Sequence, residues 1–254
     1  MISFSEAQIL AWLNPLLWPF LRCLALFAGM PLFSQRNVPM PVRVGLALFF
    51  AVASQAALPP MPVLPLDSPP LLVLLIAQQL LIGLAMGFAV RLVFAALEFA
   101  GEIVGLQMGL NFAGFFDPAT GMQGTATARF FGTLVAFLFI ATNGHLLLIQ
   151  ALAQSFHAFP VGTEPFAFLR ATAPQAWGAE IFRAGLWIAL PVVALLLFVN
   201  LALGVVSRVA PQIHVFAVGF PLTVSIGLLG LVATLPLMQV PLETTLARLL
   251  AGFT

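Results

Sequence analysis

Residues 71–117 read LLVLLIAQQLLIGLAMGFAVRLVFAALEFAGEIVGLQMGLNFAGFFD. No proline interrupts this stretch, and only Arg91, Glu98, Glu102 and Asp117 carry charge. A helix that crosses a bilayer needs about 20 apolar residues, so the stretch has room for one very long helix or for a hairpin of two. A second proline-free stretch, residues 119–159, poses the same choice. In hydrocarbon every backbone N–H and C=O must be paired inside the protein, which favours helices. No convincing strand pattern occurs elsewhere, so the expected class is all-α: a polytopic, membrane-type protein of six to seven long, kinked helices.

Composition points the same way. Of 254 residues, 62% are hydrophobic and 7% charged, and the mean hydropathy is +1.12. Soluble domains carry roughly 45–50% apolar and about 25% charged residues. Nine Arg and eight acidic residues cannot coat a soluble fold of this size. A water-soluble enzyme domain, a disordered chain and a collagen are excluded. A net charge of +1 implies no nucleic-acid partner. The single cysteine, Cys23, makes neither an intrachain disulfide nor a metal cluster.

Outward from the central stretch, prolines and charges cut the chain. The first residues lack a basic region and carry Glu6, which argues against a cleavable signal. Ser5 followed by Gln8 reads as a helix cap. The first helix is expected over about 6–30, kinked at Pro15 and Pro19. Residues 31–41 read as a turn, and 42–58 as an apolar run. Pro59, Pro60, Pro62, Pro65, Pro69 and Pro70 then make a stiff extended linker, apolar enough to lie on the protein or on a membrane surface. Residues 184–207 and 209–242 are charge-free runs separated by Arg208, and 242–252 is amphipathic. Hydropathy alone suggests six or so bilayer spans.

Several residue groups invite a functional reading. Arg91, Glu98 and Glu102 share one helical face, and each ion costs about 2.5–3.5 kcal/mol at mid-bilayer. They should avoid lipid, either in salt bridges between packed helices or as a polar lining or subunit contact. Gly101, Gly105 and Gly109 recur every four residues, which on a helix makes a smooth face for close packing, within the chain or between chains. Gly83 and Gly87 repeat the pattern. Beyond them, Leu110-Asn111-Phe112-Ala113-Gly114-Phe115-Phe116-Asp117-Pro118 places three Phe beside a glycine and an Asp-Pro turn. Met108, Phe112, Phe115, Phe116 and Met122 are bulky and apolar on a segment expected to be non-helical. Such a segment could be an apolar constriction that closes a pore by excluding water, or ordinary core.

Enzymatic signals are missing. His145 follows Asn143-Gly144 near an expected helix break, and His157 and His214 are isolated. No HExxH, GxSxG or phosphate loop occurs, so no catalysis, cofactor or metal is expected. Arg36-Asn37-Val38-Pro39 and Arg208-Val209-Ala210-Pro211 form a weak echo, which marks helix breaks or a transporter-like repeat. A secondary transporter for a small molecule, with Arg91 and Glu98 as its ion site, is therefore the rival reading.

The order of several motifs resembles the FliR/SctT family of type III export-gate proteins. These are Trp12-Leu13, Pro19-Phe20-Leu21-Arg22, Ala100 to Gly109, Phe116-Asp117-Pro118, Asn143-Gly144-His145, Asn200 to Gly204, Ala210-Pro211-Gln212 and Gly219-Phe220-Pro221. The resemblance implies a non-catalytic subunit that assembles with FliP-like and FliQ-like proteins into a helical gate. That gate sits in the bacterial inner membrane at the flagellar basal body, associates with FlhB-like and FlhA-like proteins, and passes unfolded export substrates. An injectisome homologue is the close variant. The resemblance further implies a FliP-like part over 1–165 and a FliQ-like hairpin with an amphipathic tail over 166–254. It places a pore plug at 106–122, with Leu106, Met108, Leu110, Asn111, Phe112, Phe115, Phe116, Asp117, Pro118 and Met122 as its residues. It also implies a gate raised toward the periplasmic side, where Arg91, Glu98, Glu102 and Arg208 pair between helices or subunits.

Overall fold

The computed structural model describes residues 6–34, 38–65, 67–110, 126–162, 164, 166–210 and 215–254. Its helices are α1 (Glu6–Gly29), α2 (Pro31–Ser34), α3 (Met40–Ser54), α4 (Pro69–Met108), α5 (Ala126–Ala141), α6 (Gly144–Ala158), α7 (Ala167–Thr172), α8 (Gly178–Val209), α9 (Val215–Thr234) and α10 (Gln239–Leu250). Single 3-10 turns follow α3, α7, α9 and α10. Among the described residues there is no strand, and the all-α expectation holds.

Residues 71–108 of the central stretch form one helix, not a hairpin: α4 runs for 40 residues. The second stretch breaks. α5 and α6 meet at a 68° bend, where Asn143 takes a left-handed conformation with φ 58°. Asparagine tolerates that region better than branched residues do. The Asn143 carbonyl then accepts from the N–H groups of Leu146 and Leu147. α1 continues through Pro15 and Pro19, and α8 through Pro191.

The proline-rich linker is shorter than expected, because Pro69 and Pro70 open α4. A helix's first N–H groups have no intrahelical acceptor, so proline costs little there. Residues 59–65 form neither helix nor strand and lie on the protein. Trp18 Nε1 donates to the Pro62 carbonyl at 3.2 Å, and the Leu64 N–H donates to Asn14 Oδ1 at 3.1 Å.

Four helical stretches are long and apolar enough to cross a membrane: Met40–Ala57, Pro69–Met108, Gly178–Val209 and Val218–Phe253. The bent α5–α6 pair raises the number to five. Both figures fall below the six suggested by hydropathy alone. α1 is not among them, since Asn14, Pro15, Pro19 and Arg22 dilute its apolar run.

The chain forms two compact units that interleave in sequence. The first comprises Met1–Arg91, Asn143–Trp177 and Leu246–Thr254. α1 packs on α3 there, and Trp18, Leu64 and Leu75 form a buried cluster. Phe253, fully buried, meets Phe159 and Trp177 at ring-centroid distances of 6.5 and 6.0 Å. The second unit comprises Leu92–Thr142 and Gly178–Thr245, with α8 packed on α9. There Gly185 of α8 sits on α4: a Cβ on it would stand 2.6 Å from the Ala96 carbonyl oxygen.

Candidate functional site

Three of the ten expected plug residues fall within the described part. Leu106 is 62% exposed and Leu110 is half-buried. Met108, the last residue of α4, is instead buried against α9. Its side chain fills the space that Gly227 leaves open, since a Cβ on Gly227 would stand 2.7 Å from Met108 Cγ. The Thr223 hydroxyl lies 3.3 Å from the Met108 carbonyl and 3.0 Å from that of Phe220. Met108 thus anchors the end of α4. Asn111, Phe112, Phe115, Phe116, Asp117, Pro118 and Met122 lie outside the described residues.

The glycines divide by role. Gly101 admits α5 closely: a Cβ there would stand 2.8 Å from the Phe131 ring and 2.9 Å from the Thr127 carbonyl. Gly105 is buried within α4. Gly109 is not a packing position on the helix, which corrects the expected triplet. It lies past the last helical residue with φ 78°, and its N–H donates to the Leu106 carbonyl at 3.1 Å. Glycine ends helices this way because the left-handed conformation costs it nothing. In the first unit, Gly83 and Gly87 bring α4 against the backbone of α1. A Cβ on Gly87 would stand 2.6 Å from the Leu26 carbonyl and 2.9 Å from Gly29 Cα.

The expected charged positions are accessible. Arg91 and Glu98 are exposed and Glu102 is half-buried. Glu98 lies over Gly132 of α5, where an added Cβ would meet its Oε1 at 3.1 Å. Arg208 is exposed in the last turn of α8, where the helix dipole favours a cation. Among the described residues, no group of three or more His, Cys, Asp or Glu could hold a metal ion.

The most elaborate polar arrangement was not singled out from sequence. Arg22 is fully buried in α1. Its Nε donates to Gln79 Oε1 at 2.8 Å, one terminal nitrogen to Ser155 Oγ at 2.9 Å, and the other to the Phe159 carbonyl at 2.9 Å. The guanidinium carbon stands 3.7 Å from the centroid of the Phe156 ring. The network continues through α4. Gln79 Nε2 donates to Gln78 Oε1 at 3.1 Å, Gln78 Nε2 donates to the Pro160 carbonyl at 3.3 Å, and the Gly162 N–H donates to Gln78 Oε1 at 3.3 Å. Neutral oxygens and a ring face replace a carboxylate here. A guanidinium suits this, because its planar fork serves several acceptors at once and it is less strongly hydrated than an ammonium. One residue therefore ties α1, α4, α6 and the turn after α6 together. The signal was a cation and two adjacent amides inside apolar helices, where polar groups are costly unless partnered.

Comparison with known proteins follows these observations. Residues 13–249 match the family described as bacterial export proteins, family 1. The chain is 45% identical over 247 residues to the flagellar biosynthetic protein FliR of Escherichia coli (strain K12), covering 94% of this chain and 90% of that protein. It is 41% identical over 242 residues to the protein of the same name from Pectobacterium carotovorum subsp. carotovorum, covering 94% and 90%. To that of Bacillus subtilis (strain 168) it is 35% identical over 228 residues, covering 87% and 86%. The family match covers nearly the whole length, and the chain belongs to the bacterial export proteins, family 1.

Proposed function

We propose that this chain is a structural subunit of the flagellar type III export gate in the bacterial inner membrane, and that it performs no catalytic step. The observation that carries the reading is the family match over nearly the whole chain, with relatives named as flagellar biosynthetic proteins. Family membership displaces the small-molecule transporter, and the relatives' names favour the flagellar over the injectisome version. The surface supports assembly. Phe49, Phe198, Leu229 and Val209 are 71%, 73%, 70% and 80% exposed. So much apolar surface needs lipid or neighbouring subunits to cover it. In this reading the covering partners are FliP-like and FliQ-like subunits, FlhB-like and FlhA-like proteins associate with them, and the gate stands toward the periplasmic side. Residues 1–165 take the FliP-like place and 166–254 the FliQ-like place. The exposed Arg91, Glu98 and Arg208 and the half-buried Glu102 pair across subunits.

Residues 106–122 act as the plug. Apolar side chains hold the closed pore dry, and an unfolded substrate displaces them. Met108, locked on α9, holds the root of the segment while Leu106 faces outward. Deleting Leu110–Phe116 in the assembled complex should raise passive ion leakage through membranes that contain it. Conductance equal to that of the unaltered complex, at equal assembly, would contradict the plug.

A further inference from the structure

Residues 167–177 of the first unit are held by side-chain packing and contain one strained residue. α7 has six residues, of which Phe168 and Thr172 are buried while Leu169 and Arg170 are exposed. So short a helix depends on tertiary contacts, since its own hydrogen bonds do not offset the cost of nucleation. Among the described residues the hydrogen bonds of this segment are local. The Ala173 N–H donates to the Leu169 carbonyl at 3.2 Å, the Ala176 N–H to that of Ala173 at 2.9 Å, and the Trp177 N–H to that of Pro174 at 3.2 Å. The Thr172 hydroxyl donates to the Phe168 carbonyl at 2.7 Å and so stays within α7.

Ala173 joins α7 to the 3-10 turn Pro174–Ala176 with φ 43° and ψ 57°. A Cβ disfavours this left-handed conformation, and helix ends that adopt it usually carry glycine. Pro174 adds to the cost, because proline drives the residue before it toward extended backbone. Aromatic contacts oppose the strain. Phe253 belongs to the 3-10 turn Ala251–Phe253, which packs on α6 and α7. Its ring stands 6.0 Å from that of Trp177 and 6.5 Å from that of Phe159. The Phe159 ring meets Phe168 edge-on at 6.4 Å, and the Phe159 carbonyl accepts from Arg22. We propose that residues 167–177 form a strap that opens and closes as one local unit, latched by Phe253 and strained at Ala173, whose closure holds the Phe159 carbonyl on Arg22. Opening takes the Phe168 contact from Phe159 and loosens that acceptor. The proposal rests on contacts inside the first unit and not on the gate or the plug, so either can fail alone.

The test is hydrogen–deuterium exchange read by mass spectrometry on the full chain in its complex. Local opening exposes amides without global unfolding, and their exchange follows the opening equilibrium. In the unaltered chain the amides of 167–177 should exchange together, and faster than those of α3. Phe253→Leu should speed them about tenfold, because leucine cannot fill the place of the ring, and should leave α3 unchanged. Ala173→Gly should slow them about fivefold by relieving the left-handed strain. Arg22→Lys should speed them as well, by a smaller factor than Phe253→Leu. If Phe253→Leu does not assemble, Ala173→Gly still decides, since it removes strain and no contact. Unchanged or faster exchange in Ala173→Gly would overturn the strap. So would Phe253→Leu speeding exchange equally throughout the first unit, which would mark the ring as ordinary core. Unchanged exchange in Arg22→Lys would overturn the link to Arg22.

Discussion

Replacing Arg22 with alanine should remove most of the chain from the membrane. The substitution strands the buried Gln79 amide oxygen and Ser155 Oγ, and takes the donor from the part-buried Phe159 carbonyl. Each abandoned buried acceptor costs about 1–3 kcal/mol. The cation–π contact with Phe156 adds about 2 kcal/mol when desolvated. Ser155 keeps its bond to the Leu152 carbonyl and recovers part of the loss. A net cost of about 3–5 kcal/mol is expected from these lost bonds and the lost ring contact together. A domain's whole stability is about 5–15 kcal/mol. Arg22→Met keeps the length of the side chain and should be nearly as damaging, because packing is not what is lost. Arg22→Lys should rescue in part, since an ammonium can donate three bonds but not in the same fork. The readouts are the steady-state amount of complex and its melting temperature. Wild-type melting in Arg22→Met would refute the lock.

The second large effect is expected at the α1–α4 contact. A Cβ on Gly83 would collide with the Arg22 carbonyl oxygen and stand 2.8 Å from Ala25 Cβ. The obstacle is backbone, so no rotamer change relieves it and α1 must move. Alanine gains about 1 kcal/mol of helix propensity over glycine, while overpacking costs about 1–3 kcal/mol. Gly83→Ala should therefore lose about 1 kcal/mol on balance, and Gly83→Val should prevent assembly. The displacement would also drag Arg22 from its acceptors, so the two sites should couple. Additive losses in the double variant Gly83→Ala with Arg22→Lys would show that they do not. Melting temperatures of the four complexes decide this.

Fold class was legible because it rests on composition: too few charges remain to coat a soluble surface. Finer features were not, each for a definite reason. A hairpin turn in an apolar stretch needs no proline, so 71–117 could not be told from two helices until α4 was seen whole. Pro69 and Pro70 looked like linker because proline is also accepted in a helix's first turn. Gly109 shared the spacing of Gly101 and Gly105, and only its φ of 78° marks it as a helix end. The role of Arg22 could not be read because its acceptors are 57, 133 and 137 residues away in the chain. At the proposed plug, sequence identified a run of bulky apolar residues, but the anchoring of Met108 depends on Gly227, on a helix far along the chain.

The central claim is that this chain is built to be a member of a hetero-oligomeric export gate. It is tested most directly by co-expressing the tagged chain with FliP-like and FliQ-like neighbours from the same source. The extracted complex is then weighed by native mass spectrometry. The account predicts a discrete hetero-oligomer of fixed mass that contains this chain. A stable monomer or homodimer that ignores those neighbours would contradict it.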